Sequence, residues 1–214
     1  MPPERPASTH PFFIEGGAGR IEVRTHAPAG VPRACALCFH PHPMFGGNLH
    51  NKVLYWARSV LVERGVLCYS MNFRGVGLSA GEHDAGGGEL QDAAHLFAYV
   101  RAAHPALPLW GLGYSFGAWI ALRLAAQRPP ACIFCVGLPV TVYDFSFVRD
   151  LQAPIHVFQG EWDETGSPGE LDKFFAEGFP HLDVTVVPRA DHFFNGALPA
   201  LREALRLHPS VAML

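Results

Sequence analysis

A serine at a sharp turn is the residue of this chain best placed for covalent chemistry. Residues 113–117 read Gly-Tyr-Ser-Phe-Gly, with Ser115 at the centre. The apolar run 107–112 predicts a buried strand before the turn, and the run 118–126 predicts a helix after it. In such a turn the serine hydroxyl projects out of the sheet, and the flanking glycines remove side chains that would collide. This setting favours Ser115 as a nucleophile.

A serine nucleophile needs a base, and His192 follows the last predicted strand. Open α/β sheets bind ligands at the carboxyl ends of their strands, so a histidine in a loop after a strand can reach the site. The chain has 12 histidines, and most of the others fall on a helix, inside a strand or in the C-terminal tail. His40 and His42 lie near the predicted site and are the serious rivals to His192.

The acid that orients the base is expected after the predicted strand 155–159. That loop offers three carboxylates: Glu161, Asp163 and Glu164. Asp163 is preferred, because a short side chain after a glycine turn can hold one imidazole tautomer rigidly. Asp191, next to His192, is expected to serve as a turn or capping residue. The order Ser115, Asp163, His192, each just past a strand, is the main argument for a catalytic triad.

Two backbone amides must bind the oxyanion that develops on the substrate. The amide of Phe116 is the first candidate, because it opens the helix behind the nucleophile. The second is expected in the loop 40–47, which reads His-Pro-His-Pro-Met-Phe-Gly-Gly. Its two prolines have no N–H, so His42 or Met44 must donate, and His42 is favoured because it is nearer the strand end. The H-x-H pair of this loop lacks the further ligands of a hydrolytic metal centre, and no metal is predicted.

Two C-x-x-C pairs, at Cys35/Cys38 and Cys132/Cys135, suggest a zinc site, but both lie inside predicted strands. Residues three apart in a strand face opposite sides of the sheet, so neither pair can chelate as a unit. We expect these cysteines to be buried as small hydrophobes.

The glycine-rich segment 72–81 has the wrong spacing for a dinucleotide-binding fingerprint, and no cofactor is predicted. The chain from there to residues 86–88 is expected to be a loop. Arg74 is expected to pin this loop through backbone carbonyls, with a substrate carboxylate as the alternative partner.

Strands alternate with helices after an initial strand pair, which predicts a doubly wound, mostly parallel sheet. Strands are predicted at 12–15, 20–26, 35–40, 66–73, 107–112, 132–138, 155–159 and 183–187. Helices are predicted at about 50–64, 89–103, 116–128, 168–177 and 196–207. The segment 139–153 between the sixth and seventh strands is too short for a lid, so the site should be open.

The 214 residues suit one domain spanning 1–214, with 1–10 a flexible segment that does not resemble a signal peptide. The formal charge is −3 and no basic stripe is present, so nucleic acid and membranes are not expected partners. No apolar run is long enough to span a bilayer. We therefore expect a cytoplasmic protein, a monomer or small homo-oligomer, with a small-molecule acyl substrate.

Taken together, these motifs resemble the α/β-hydrolase superfamily, and within it small lidless bacterial serine hydrolases close to the dienelactone-hydrolase-like branch. The resemblance rests on residues 40–47, 51–53, 72–77, 113–117, 160–163 and 190–193. It implies a three-layer fold, an eight-stranded, mainly parallel sheet with an antiparallel second strand, helices on both faces and no lid domain. It also implies a triad of Ser115, His192 and Asp163. Dienelactone hydrolases use a cysteine nucleophile, so lactone specificity is not carried over.

The function expected from this reasoning is hydrolysis of small or short-chain carboxylic esters through an acyl-enzyme intermediate. A thioesterase or peptidase could use the same triad, because acyl transfer does not fix the leaving group. A perhydrolase or carbon–carbon bond hydrolase is possible on the same fold. A noncatalytic binding module on this fold is the alternative from a different functional class, and a metal- or redox-active cysteine protein is a third.

Overall fold

The computed structural model describes residues 11–175 and 181–212. The expected flexible segment 1–10, and the last two residues of the helix predicted at 168–177, lie outside the described residues.

Eight strands form one sheet in the order β1-β2-β4-β3-β5-β6-β7-β8. Strand β2 is antiparallel to both of its neighbours, and the pairs from β4 to β8 are all parallel. The predicted fold class, including the antiparallel second strand, is thereby confirmed. The strands are β1 Phe12–Gly16, β2 Gly19–His26, β3 Ala34–Phe39, β4 Val66–Met71, β5 Leu109–Tyr114, β6 Cys132–Val136, β7 Ile155–Gly160 and β8 Leu182–Val187.

Helices cover both faces of the sheet and create two core layers. One layer holds apolar residues of α2, α3 and α4, and the other holds those of α1, α5 and α6. Every residue of β3 to β7 is buried, which explains why these strands read as continuous apolar runs. The helices are α1 Lys52–Glu63, α2 Gly87–Ala103, α3 Phe116–Gln127, α4 Pro168–Phe175, α5 Leu198–Leu207 and α6 Pro209–Ala212.

The cysteines divide between the two layers as the strand geometry requires. Cys35 and Cys135 lie in one layer, and Cys38 and Cys132 lie in the other. All are buried free thiols, and burial raises the pKa of Cys35 to about 12. The prediction that the two cysteines of each C-x-x-C pair face opposite sides of the sheet is therefore confirmed.

Several boundaries differ from the predicted ones for local reasons. Strand β5 begins at Leu109 rather than residue 107, directly after Pro108, whose nitrogen cannot donate to a ladder. Helix α2 begins at Gly87, so the expected loop ends at Gly86 and its predicted continuation over residues 87–88 is wrong. The carboxylate of Glu89 accepts a hydrogen bond from the Gly86 amide and stabilises that early start. The short helix α6 was not predicted.

The Arg74 guanidinium has a different partner from those predicted. Its Nε and Nη2 each donate to an oxygen of Asp92 on α2, at 2.8 Å. The Asp92 side chain is almost fully buried. This bidentate ion pair fastens the loop after β4 to α2, so neither backbone carbonyls nor a substrate are the main partners of Arg74.

Within the residues that the structure describes, no helix has the combined length and apolar character needed to cross a bilayer.

Replacing Arg74 with methionine should lower the free energy of unfolding by about 3–5 kcal/mol, because the buried Asp92 carboxylate loses its counter-ion. Urea denaturation measures this change. The matched control is Arg206→Met, which removes an exposed ion pair with Glu203 on α5 and should leave stability within experimental error. Equal stability of the two variants would show that the Arg74–Asp92 pair does not hold this part of the fold.

Candidate active site

The turn that carries Ser115 is built from a strained residue between two glycines. Ser115 has φ +56° and ψ −120°, and its amide donates to the Val136 carbonyl at 2.9 Å. A Cβ on Gly113 would collide with the backbone of Ala118 in the first turn of α3. A Cβ on Gly117 would collide with backbone atoms at the end of β3. The glycines therefore allow α3 to start tightly against β5 and β3, as the sequence motif predicts.

The structure brings the three predicted triad residues together. His192 Nε2 lies 3.0 Å from Ser115 Oγ, and His192 Nδ1 lies 2.8 Å from Asp163 Oδ2. Asp163 is 1% exposed, so its carboxylate faces protein rather than solvent. Because Nδ1 faces this carboxylate, it carries the imidazole proton and leaves Nε2 free to accept the serine hydroxyl. This arrangement can deprotonate Ser115 during attack on an acyl carbon.

Two neighbours hold the Asp163 carboxylate in place. Gln159 at the end of β7 donates its amide to Oδ2 at 2.8 Å. Thr165 donates both its backbone N–H and its hydroxyl to Oδ1, at 2.9 and 2.8 Å. The Thr165 hydroxyl also lies 2.9 Å from His192 Nδ1, so one residue touches both the acid and the base. The sequence reasoning missed Gln159 and Thr165; the Asp-x-Thr spacing is a turn signal that points to Thr165.

Tyr114 positions the loop that carries His192. Its hydroxyl donates to the His192 carbonyl at 2.9 Å, and the two rings pack with centroids 5.6 Å apart. Burial is the main cause that raises the pKa of Tyr114, so the phenol stays protonated and keeps donating. No sequence signal separates this tyrosine from an ordinary core aromatic.

The remaining carboxylates near the site have structural partners. Glu161 accepts from the Arg189 amide at 2.7 Å. Asp191 Oδ1 accepts from the Asn195 amide at 2.8 Å, which is the turn role predicted for it. Glu164 is exposed. The structure thus brings only Asp163, of the three loop carboxylates, into contact with His192.

The two predicted oxyanion donors lie in segments that touch each other. The close approach of Gly117 to the carbonyls of Phe39 and His40 places the loop after β3 beside the N-terminus of α3. The amide of Met44 already donates to His42 Nδ1 at 3.1 Å. Across the described ranges, the amides of His42 and Phe116 make no hydrogen bond. The geometry therefore favours the His42 amide over that of Met44 as the second donor.

The rival bases have other roles. His40 is fully buried, with Nδ1 2.6 Å from the Pro41 carbonyl and Nε2 accepting from the Phe73 amide at 3.0 Å. Burial lowers the pKa of His40 to about 4, so its imidazole is neutral at pH 7. Burial, and then the neighbouring His83, lower the pKa of His42 as well. His40 joins the loops after β3 and β4, and both of its ring nitrogens are occupied.

The rim beside the nucleophile is aromatic and partly exposed. The His42 ring packs on Phe116 and on Phe45, with centroids 5.1 and 4.9 Å apart. Phe193 packs beside His192, with ring centroids 5.6 Å apart. Phe45 and Phe193 are largely exposed, whereas Phe116 is buried. An apolar substrate group could contact these exposed rings.

The chain is similar to a known protein family and to a bacterial protein. Residues 46–138 match the family described as serine aminopeptidase, S33. An uncharacterized protein of Rickettsia prowazekii (strain Madrid E) is 38% identical over an alignment of 195 residues, and the match covers 86% of this chain and 82% of that protein.

Two solved structures are similar over nearly the whole chain. An α/β serine hydrolase homologue from Coxiella burnetii is 31% identical, with a TM-score of 0.90, over 95% of this chain and 98% of that one. An α/β serine hydrolase without a lid from Xanthomonas campestris is 34% identical, with a TM-score of 0.88, over 95% of this chain and 94% of that one.

Because His40 is buried, the free energy of unfolding should fall as the pH is lowered. Its folded-state pKa is about 4 against an ordinary 6.5, so the unfolded chain binds the proton first as pH falls. Stability from this group is complete above pH 6.5, and about 3 kcal/mol is lost between pH 6.5 and 4. Urea unfolding of His40→Gln across this range should show a shallower loss than the wild type. His26, whose pKa burial lowers to about 3, contributes to the remaining slope, as do His42, His104 and His156, whose pKa values burial also lowers. Identical pH profiles for the two proteins would contradict this role for His40.

Proposed function

The chain belongs to the α/β serine hydrolases, and on that premise we propose that it hydrolyses small, short-chain carboxylic esters through an acyl-enzyme intermediate. The observation that carries the proposal is the hydrogen-bonded chain Ser115 Oγ, His192 and Asp163, with contacts of 3.0 and 2.8 Å. These contacts have the lengths and the order that nucleophilic acyl transfer needs.

In the proposed mechanism Ser115 Oγ attacks the ester carbonyl while His192 Nε2 takes the hydroxyl proton. The tetrahedral intermediate collapses, His192 gives that proton to the leaving alcohol, and an acyl-serine ester remains. A water then attacks the acyl carbon and gives its proton to His192. Collapse of the second intermediate releases the carboxylic acid and returns the proton to Ser115.

The Asp163 carboxylate stabilises the imidazolium that forms on His192 in each step. It is buried and receives hydrogen bonds from Gln159 and Thr165, so it does not turn away from the base. Thr165 is a positioning residue in this account, because it acts on the reaction through Asp163 and His192. Such pre-arranged partners reduce the reorganisation needed when charge develops on the imidazole.

We propose that the amides of Phe116 and His42 bind the oxyanion. Phe116 is the first residue of α3, where backbone N–H groups and the helix dipole both favour negative charge. His42 is supported as the second donor because the Met44 amide is engaged within its own loop.

The size limit of the substrate follows from the exposed surroundings of the triad. The chain between β6 and β7 folds only into a short 3₁₀ helix, Ser146–Asp150, which leaves no lid element in that described segment. Met44, Phe45 and Phe193 are 70%, 87% and 61% exposed. Such a surface can contact a short acyl group but cannot enclose a long chain away from water, so long chains gain little binding free energy.

An aminopeptidase, the activity in the name of the matching family, would need an acidic group for the substrate ammonium. Glu89 contacts His83, whose ring packs on Phe116, but Glu89 is buried and accepts from His83 and from the amides of Asp84 and Gly86. These partners occupy Glu89, so it is not available to bind a substrate ammonium group. A thioester would undergo the same attack by Ser115, so thioesterase activity remains compatible with the mechanism.

A panel of nitrophenyl esters tests the proposed function. Acetyl and butyryl esters should be cleaved at least tenfold faster than decanoyl or longer esters, because the apolar rim is shallow. Ser115→Ala should lower kcat by roughly four orders of magnitude or more. The control Ser59→Ala removes a hydroxyl that donates to a carbonyl on α1 and should keep full activity. Preference for long esters would refute the size limit, and faster cleavage of aminoacyl nitroanilides would favour the aminopeptidase.

A further inference from the structure

A second cluster of histidine and aspartate side chains lies at the opposite end of the sheet from Ser115. His156 is near the start of β7, and Asp183 is its partner in register on β8. His208 follows α5 and reaches the same point. The end of β7 that leads to Asp163 is roughly 13 Å further along the strand. This cluster is therefore separate from the proposed catalytic machinery.

The three side chains converge on one small volume. His156 Nδ1 lies 2.7 Å from Asp183 Oδ2, and His208 Nε2 lies 3.2 Å from Asp183 Oδ1. One donor atom from each residue falls within 4.8 Å of both others. The histidine side chains are 8% and 10% exposed, whereas Asp183 is 52% exposed. Two buried imidazoles thus face a carboxylate that is open to solvent.

Two imidazole nitrogens and a carboxylate oxygen are a donor set suited to zinc and related divalent transition metals. Zinc bonds to nitrogen and oxygen are about 2.0–2.2 Å long, so tetrahedral donor atoms lie roughly 3.4 Å apart. The contacts of 2.7 and 3.2 Å to Asp183 are close to that value, whereas donor atoms up to 4.8 Å apart would have to move closer together. The solvent-open side of Asp183 leaves room for a water as a fourth ligand.

Ser210 supplies outer support for one of the two histidines, His156. Its hydroxyl lies 2.9 Å from His156 Nε2, whereas its amide donates to His208 Nδ1 at 3.3 Å. The hydroxyl can donate to Nε2 when Nδ1 carries the proton, or accept from Nε2–H when Nδ1 binds a metal. His156 is therefore held in one orientation in either state.

We propose that His156, Asp183 and His208 form a site for Zn²⁺ or a similar transition-metal ion. On binding, the ring protons that point at Asp183 move to His156 Nε2 and His208 Nδ1, so both imidazoles stay neutral. The His156 proton meets the Ser210 hydroxyl, and the long contact from the Ser210 amide to His208 is given up. The C-x-x-C and H-x-H spacings play no part, because these ligands are brought together only by the pairing of β7 with β8 and by the packing of the segment after α5.

A metal ion here would join the edge strand β8 to β7 and to the C-terminal segment. Because the ligands come from three parts of the chain, binding should stabilise the folded state over the unfolded chain. The distance from Ser115 means that this stabilisation need not alter hydrolysis.

The test is titration of untagged, chelator-treated protein with Zn²⁺ by calorimetry, with Co²⁺ as a spectroscopic probe. The wild type should bind one Zn²⁺ in a saturable step and show visible Co²⁺ bands typical of a low-coordinate site. Saturating Zn²⁺ should raise Tm by roughly 5 °C.

Asp183→Asn and His208→Gln should each weaken Zn²⁺ binding roughly tenfold or more. The control His95→Gln removes an exposed histidine of α2 and should bind as the wild type does.

Asp183 is half exposed, so Asp183→Asn should fold normally, and circular dichroism checks this. This variant therefore tests the site even if a histidine variant does not fold. Wild-type binding without saturation, or the same Zn²⁺ affinity in Asp183→Asn as in His95→Gln, would overturn the proposal. The zinc site does not depend on the proposed function, so the hydrolytic activity of Ser115→Ala neither supports nor contradicts it.

Discussion

The contact between the start of α3 and the end of β3 is the constraint on which the site depends. Gly117 lets the backbone of the helix touch the carbonyls of Phe39 and His40, and no side chain fits between them. The same packing holds Ser115 at φ +56°, a conformation that costs roughly 1–3 kcal/mol for a residue other than glycine. The surrounding buried strands and helix supply the stability that maintains this strain. The proposed nucleophile and the proposed oxyanion donors are thus positioned by one backbone contact.

The parallel sheet then brings distant segments to this contact. Strands β5, β7 and β8 end on the same edge, and the loops after them carry Ser115, Asp163 and His192. Hydrogen bonds from Tyr114, Gln159 and Thr165 then hold the loops that carry His192 and Asp163 in position. The strand ends alone would leave these loops less well defined. The catalytic geometry we propose is therefore a product of sheet topology refined by a few buried polar contacts.

Sequence reasoning reached the fold class and the convergence of Ser115, His192 and Asp163, because local motifs and strand order carry that information. It placed β5 two residues early, since the apolar run 107–112 includes a proline that cannot join the ladder. It also missed Thr165, the partner of Arg74 and the cluster around His156. The Arg74 partner and the His156 cluster depend on residues that meet only after folding, and no local pattern records such contacts. Thr165 is different, because the local Asp-x-Thr spacing is a turn signal that points to it.

Activation of Ser115 by His192 is the central claim, and a fluorophosphonate tests it most directly. Intact mass and peptide mapping should show one phosphonyl group on Ser115 of the wild type. The rate of labelling should fall by orders of magnitude in His192→Ala, because the serine then lacks its base. No adduct on Ser115, under conditions that label a control esterase, would contradict the account and favour a binding module on the same fold.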